Sequence, residues 1–173
     1  MSGLRVFYTS VFLFVIFIIQ EIVIARINFP FNGFSLYLAA LMIVLSLEDR
    51  TGSLVFGFIG GMIMDLSTSA DTPFGQWALV MTFIGYLFSL NRETIGDFTQ
   101  SPFTFVLFVS AAVSLSLSVF LFIGLMLGQN NGGIYHNVIL IFVNSIWSLI
   151  LTPIFLPLVI KVRKLTLTNR ERI

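Results

Sequence analysis

Residues 53–75 read SLVFGFIGGMIMDLSTSADTPFG. At helical spacing Ser53, Gly57, Gly61 and Asp65 recur every four residues and stack on one face, with Leu54, Phe56, Phe58, Ile59 and Met62 around the others. In water a helix carrying Gly52, Gly57, Gly60 and Gly61 is poor, because each glycine costs roughly 0.8–1 kcal/mol against alanine. In a bilayer the surrounding lipid is as apolar as leucine, small residues let a second backbone approach closely, and the same glycines become a packing device. The reading of the stretch therefore turns on the medium.

Composition decides the medium. The chain has 173 residues, of which 57% are hydrophobic and only 10% charged, and its mean hydropathy is +1.02. These values lie outside the shares of a soluble domain and predict an integral membrane protein. Once the spans are subtracted little chain is left for extramembrane mass, so one membrane domain over 1–173 is expected. The absence of cysteine excludes disulfides and thiolate chemistry.

Outward from the glycine stretch, apolar runs predict an all-α, polytopic helical bundle of six transmembrane helices, at about 6–25, 34–47, 53–66, 73–90, 102–127 and 135–160. The first run, with Arg5 before it, resembles a signal peptide, but it is too long and Val23-Ile24-Ala25 lacks the small residues of a cleavage site. Gln20 and Glu21 near its end are expected to face protein or the interface. The second and third runs are short for a ~30 Å hydrocarbon layer. Two short crossings joined by the polar turn Glu48-Asp49-Arg50, or a re-entrant hairpin, both fit them. Thr72-Pro73 reads as an N-cap with proline at the first helical position, and Trp77 and Tyr86 as interfacial rings. Asn91–Gln100 reads as a polar connection. In the fifth run Ser110, Ser114 and Ser118 form a second small-residue stripe; the sixth carries Asn144, Ser148 and Thr152 on one face, then Pro153 and Pro157, which are expected to kink or loosen its last turns.

Six spans with a cytoplasmic N-terminus place Arg5, Arg50, Arg92 and the tail residues Lys161, Arg163, Lys164, Arg170 and Arg172 on the inner side and leave Arg26 outside. That bias predicts both termini in the cytoplasm, and it persists if the second and third runs are re-entrant. The tail reads as a topology anchor attracted to anionic membrane lipid; nucleic-acid binding is not expected.

Reactive constellations are not expected. There is no phosphate loop, no pair of carboxylates in one span and no Ser/His/Asp arrangement with local context. Glu21, Asp65, Asp71, His136 and Asn137 would all lie toward the outer side, yet they lack fixed ligand spacing, so no metal, no cofactor and no catalytic residue is predicted. Asp65 stands at the end of its helix, where the dipole disfavours a carboxylate, and the first free amides of the next helix are a short loop away. It is therefore expected to tie the two helices together, with a direct grip on a partner or ligand as the alternative. The residues expected to pack helices or bind a partner are Ser53, Gly57, Gly60, Gly61, Asp65, Pro73, Gly75, Ser110, Ser114, Ser118 and Asn144.

Residues 57–79, GFIGGMIMDLSTSADTPFGQWAL, resemble the rod shape-determining MreD family of bacteria. The matching positions are Gly57, Gly60, Gly61, Asp65, Leu66, Pro73, Gly75, Ala78 and Leu79; the connection from Asp65 to Pro73 is slightly long, and Met62 and Met64 stand where leucine is usual. The resemblance implies a multi-pass protein of the bacterial plasma membrane, without catalytic activity, in the machinery that elongates the lateral wall. Its implied partners are a bitopic MreC-like protein and, through it, a penicillin-binding transpeptidase, RodA and MreB. It also implies the architecture of the substrate-binding subunits of energy-coupling-factor transporters. The alternative function, a vitamin-capturing subunit of such a transporter, would place a ligand near the outer face and an Ala-x-x-x-Ala surface on the first span; no such pair occurs between Phe12 and Ile24. A membrane protein of merely structural role is a third reading.

Overall fold

The computed structural model describes residues 3–24, 35–67, 73–98, 101–129 and 133–166, all of it helix, turn and short connection without a strand among the described residues. Helix α1 (Gly3–Ile19) runs on into a π-helical turn (Gln20–Ile24), followed by α2 (Leu36–Leu47), α3 (Arg50–Asp65), α4 (Gln76–Leu90), α5 (Arg92–Phe98), α6 (Pro102–Met126) and α7 (Ile134–Thr166). Three stretches, Gly3–Ile22, Pro102–Met126 and Ile134–Lys164, are long and apolar enough to cross a membrane. The 12 residues of α2 reach only about 18 Å at 1.5 Å per residue.

That short helix is the centre of the molecule. Its sequence, LYLAALMIVLSL, is apolar on every side, and a helix without a polar face has to be covered all round. Residues 37 to 46 are all buried, enclosed by α1, α3, α6 and α7, with α4 at one edge. Both of its ends are capped by side chains. Ser35 Oγ accepts the Leu38 amide at 3.2 Å, and at the other end the Arg92 guanidinium donates to the carbonyls of Ser46 (2.5 Å) and Leu47 (3.1 Å), satisfying acceptors that the helix itself leaves open. Around α2 the core is completed by Leu13, Ile16 and Phe17 of α1, Phe56 and Ile63 of α3, Val80, Met81 and Ile84 of α4, and Phe105, Val109 and Val113 of α6.

Several boundaries differ from expectation. Helix α4 does not begin at Pro73 but at Gln76: Gly75, at φ +96°, is the capping residue, and the Gln76 amide closes a turn on the Pro73 carbonyl at 3.2 Å. A left-handed residue at this point suits glycine alone; Thr72 lies outside the described residues. The polar connection after Leu90 contains the short helix α5. Helix α7 passes through Pro153 and Pro157 as one assigned helix of 33 residues. Trp77 is not an interfacial ring: it is buried, stacked on Phe120 with centroids 4.0 Å apart, whereas Tyr86 is exposed.

Candidate functional site

The glycine stretch and the start of α4 build one joint. Ser53, Gly57 and Gly61 of α3 lie against Met81, Ala78 and Gly85 of α4 with backbone touching backbone. A methyl group built on Gly57 would stand 2.5 Å from the Met81 carbonyl oxygen, one on Gly61 2.5 Å from the Trp77 oxygen and the Ala78 Cα, and one on Gly85 2.3 Å from the Ser53 oxygen. Gly60 faces elsewhere. Its missing side chain makes room for the Leu41 side chain of α2, and its carbonyl accepts the Tyr37 hydroxyl at 2.9 Å. Ser53 is buried and donates to the Leu45 carbonyl at 2.9 Å, tying α3 to the end of α2.

Asp65 closes the joint. Its two carboxylate oxygens accept the amides of Trp77 and Ala78, each at 3.0 Å, so the carboxylate of one helix end caps the positive end of the next. This is the tie between helices expected from the sequence. Pro73 and Gly75 contribute by turning the chain so that those two amides face back toward α3.

The serine stripe is also engaged within the chain, though not along its whole length. Ser110 Oγ donates to the Ser145 carbonyl of α7 at 2.9 Å, and the hydroxyls of Ser114 and Ser145 bond to each other. Ser118 is exposed and donates to the Ser114 carbonyl of its own helix at 2.8 Å. Asn144 and Ser148 are buried but do not bridge helices; they donate to Leu140 (2.9 Å) and Ser145 (2.7 Å) on α7 itself. A short polar side chain on a helix reaches the carbonyl a turn back more easily than a neighbouring helix.

Two features of the bundle ends had no clear signal in the sequence. At one end Arg5 and Glu48, each almost wholly buried, form an ion pair. Arg92 and Arg163 also lie close enough to act on this site electrostatically. Burial pushes the Glu48 carboxyl above its ordinary value, against the opposing pull of the Arg5 and Arg163 guanidinium groups. Nothing in Glu48-Asp49-Arg50 marks which acid turns inward: Asp49 instead caps α3 by accepting the Gly52 amide at 2.8 Å.

At the opposite end a cavity of about 310 Å³ opens among α1, α2, α3, α4, α6 and α7. Gln20, Glu21, Tyr37, Trp77, Phe120 and Asn144 are among its walls. Gln20 Oε1 accepts the Tyr37 amide and Glu21 Oε1 accepts the Ser67 hydroxyl, both at 2.8 Å, so these two residues face protein as expected. The π-helical turn that carries them is a widened turn of a kind often found at functional positions. Of the scattered outer-side group, Asp71 lies outside the described residues, His136 is exposed, and no three metal-ligating side chains come together among the described residues. A third surface, wholly apolar in its side chains apart from Thr82 and the Tyr86 hydroxyl, is a groove across α3, α4 and α6 formed by residues such as Leu54, Phe58, Leu79, Phe83 and Phe122.

No protein-family model matches the chain, and neither a curated protein nor a solved structure does.

Proposed function

We propose that the chain is a non-catalytic membrane scaffold of the bacterial cell-wall elongation machinery, of the kind the MreD family represents. The observation that carries this reading is the α3–α4 joint. Five of the nine positions that bear the resemblance, Gly57, Gly61, Asp65, Gly75 and Ala78, meet at one place, where glycine contact and a carboxylate cap join two helices. In this reading α1, α2, α3, α4, α6 and α7 are six crossings in the arrangement of an energy-coupling-factor substrate subunit. Of the three short helices, α2 is enclosed by its neighbours, while α3 and α4 pack on each other and leave an apolar flank open at Phe58, Leu79 and Phe83. Arg5, Arg92 and Arg163 gather around Glu48 at one end, which supports placing that end, and both termini, in the cytoplasm of a bacterial plasma membrane.

The glycine stripe is occupied by α4 of the same chain, and the serine stripe by α7 at Ser110 and Ser114. A partner is left the outer side of the joint, and the apolar groove across α3, α4 and α6 receives the single transmembrane helix of a bitopic MreC-like protein. The test is depletion in the host together with site-directed crosslinking, which the cysteine-free sequence makes simple. Loss of cylindrical growth, with crosslinks from Phe83→Cys and Phe122→Cys to a bitopic partner but none from Val138→Cys, is expected. An unchanged cell outline with a new vitamin requirement overturns the reading in favour of a transporter subunit. For orientation, an impermeant maleimide applied to whole cells is expected to label Gln129→Cys and not Arg50→Cys.

A further inference from the structure

The cavity at the end of α1 has a chemical bias that the scaffold reading does not use. Among the described residues Glu21 is the single charged one in its wall, and no lysine, arginine or histidine lines it. The carboxylate has a neutral hydroxyl on one oxygen, from Ser67; its second oxygen has no cationic partner among the described residues. The surrounding walls include the aromatic side chains of Phe17, Tyr37, Trp77 and Phe120, a residue type whose ring faces attract a cation. The Gln20 amide N–H groups and the Asn144 carbonyl oxygen, whose partner atoms are already bonded elsewhere, supply neutral polar groups beside them. Anions are disfavoured by Glu21, and a bare metal ion would lack a second charged ligand among the described residues. A volume of about 310 Å³ lies at the small end of the range for organic ligands, about 300–1,000 Å³.

We propose that this cavity binds a small organic ammonium group, with Glu21 as its counter-ion and the Trp77–Phe120 stack and Tyr37 as its aromatic enclosure. One chemistry has two sources here: a free solute such as choline or ethanolamine, and the headgroup of an ethanolamine phospholipid. The site stands whether or not the chain serves as a scaffold, since none of these side chains faces the groove across α3, α4 and α6.

The full chain, purified in a maltoside detergent with Trp147→Phe so that Trp77 is the remaining tryptophan, is titrated with choline chloride, ethanolamine and, for ionic strength, sodium chloride. A saturable change in Trp77 fluorescence is expected with the two ammonium probes and none with sodium. Glu21→Gln, which keeps the shape and the acceptor for Ser67, is expected to weaken choline binding by about tenfold or more, the scale of one lost charge-assisted contact. If that variant does not fold, Phe120→Leu, which retains the carboxylate and removes one aromatic face, is expected to weaken it by about threefold or more. Nanodiscs of phosphatidylethanolamine and of phosphatidylglycerol separate the sources: choline binding suppressed only by the former identifies the headgroup, and equal binding in both identifies the solute. No saturable change in the parent protein, or choline binding in Glu21→Gln equal to it, overturns the proposal.

Discussion

Arg5, in the first turn of α1, pairs with Glu48, at the end of α2, in a place where both side chains are almost wholly buried. Taking two charges out of water is expensive, and the attraction between them offsets that cost only while both are present. Removing either one takes away the main compensation for burying the other, although Arg163 still acts on Glu48. Arg5→Met or Glu48→Met alone is expected to lower stability by about 3–5 kcal/mol, while the double replacement with two apolar side chains recovers most of the loss. Thermal unfolding of the four proteins of this cycle in one detergent checks it, and additive losses would show that the pair is not coupled.

The same site predicts a pH dependence. Burial raises the Glu48 carboxyl in the folded protein, so between its ordinary value and the raised one the folded state holds a proton that the unfolded state has released. Stability therefore falls as pH rises through that window and is fully restored below it. The midpoint of unfolding is expected to climb as pH is lowered from neutral toward the ordinary carboxylate value, with a shallower slope in Glu48→Gln.

The glycines separate by what opposes them. At Gly57, Gly61 and Gly85 an added methyl group meets backbone of the facing helix, which cannot move aside; at Gly60 it meets the end of the Leu41 side chain. Alanine at any of the first three is expected to cost about 1–3 kcal/mol by overpacking. Gly60→Ala is expected to cost less, and shortening Leu41 to valine in the same chain to recover part of it. Refolding yield and melting temperature of this series are the readout.

Asp65 predicts a graded response. Asp65→Asn keeps one acceptor for the two amides, while Asp65→Ala keeps none. The alanine variant is expected to lose about 1–2 kcal/mol, as when a helix loses its capping side chain, and the asparagine variant less. Hydrogen exchange at the Trp77 and Ala78 amides, accelerated in that order, distinguishes loss of the cap from a general loosening.

Among the serines the effect is confined to the residues that reach α7. Ser110→Ala and Ser114→Ala are each expected to cost about 0.6 kcal/mol, the scale of an interhelical hydrogen bond in a membrane protein. Ser118→Ala, which removes a bond within α6 on an exposed position, is expected to leave the unfolding midpoint in place.

The helices were legible wherever one physical rule dominated. Small residues four apart, ending in an acid, announce a close contact with the next helix, and Ser53, Gly57, Gly61 and Asp65 make that contact. The start of α4 was misplaced by three residues because Thr72-Pro73 matches a local start signal, whereas Asp65, seven residues upstream of Thr72, supplies the cap through space. Periodicity reports which residues share a face but not what arrives opposite. Arg92 at the end of α2, Tyr37 on the Gly60 carbonyl and the pairing of Arg5 with Glu48 all join distant segments, and nothing adjacent to them in the sequence records it. The cavity was hidden for the same reason: Gln20 and Glu21 read as facing protein or the interface, and nothing near them in the sequence says that Trp77 and Phe120 are brought beside them.

The enclosure of α2 has a consequence for biogenesis. The helix is made early, yet two of the elements that cover it, α6 and α7, begin at Pro102 and Ile134, long after Leu47 has left the ribosome. During that interval a 12-residue helix too short to cross the bilayer by itself waits with its flank uncovered. Chains truncated before Pro102 should therefore be retained by the insertion machinery or degraded, and the last two helices act as the lock that commits the whole molecule to the membrane.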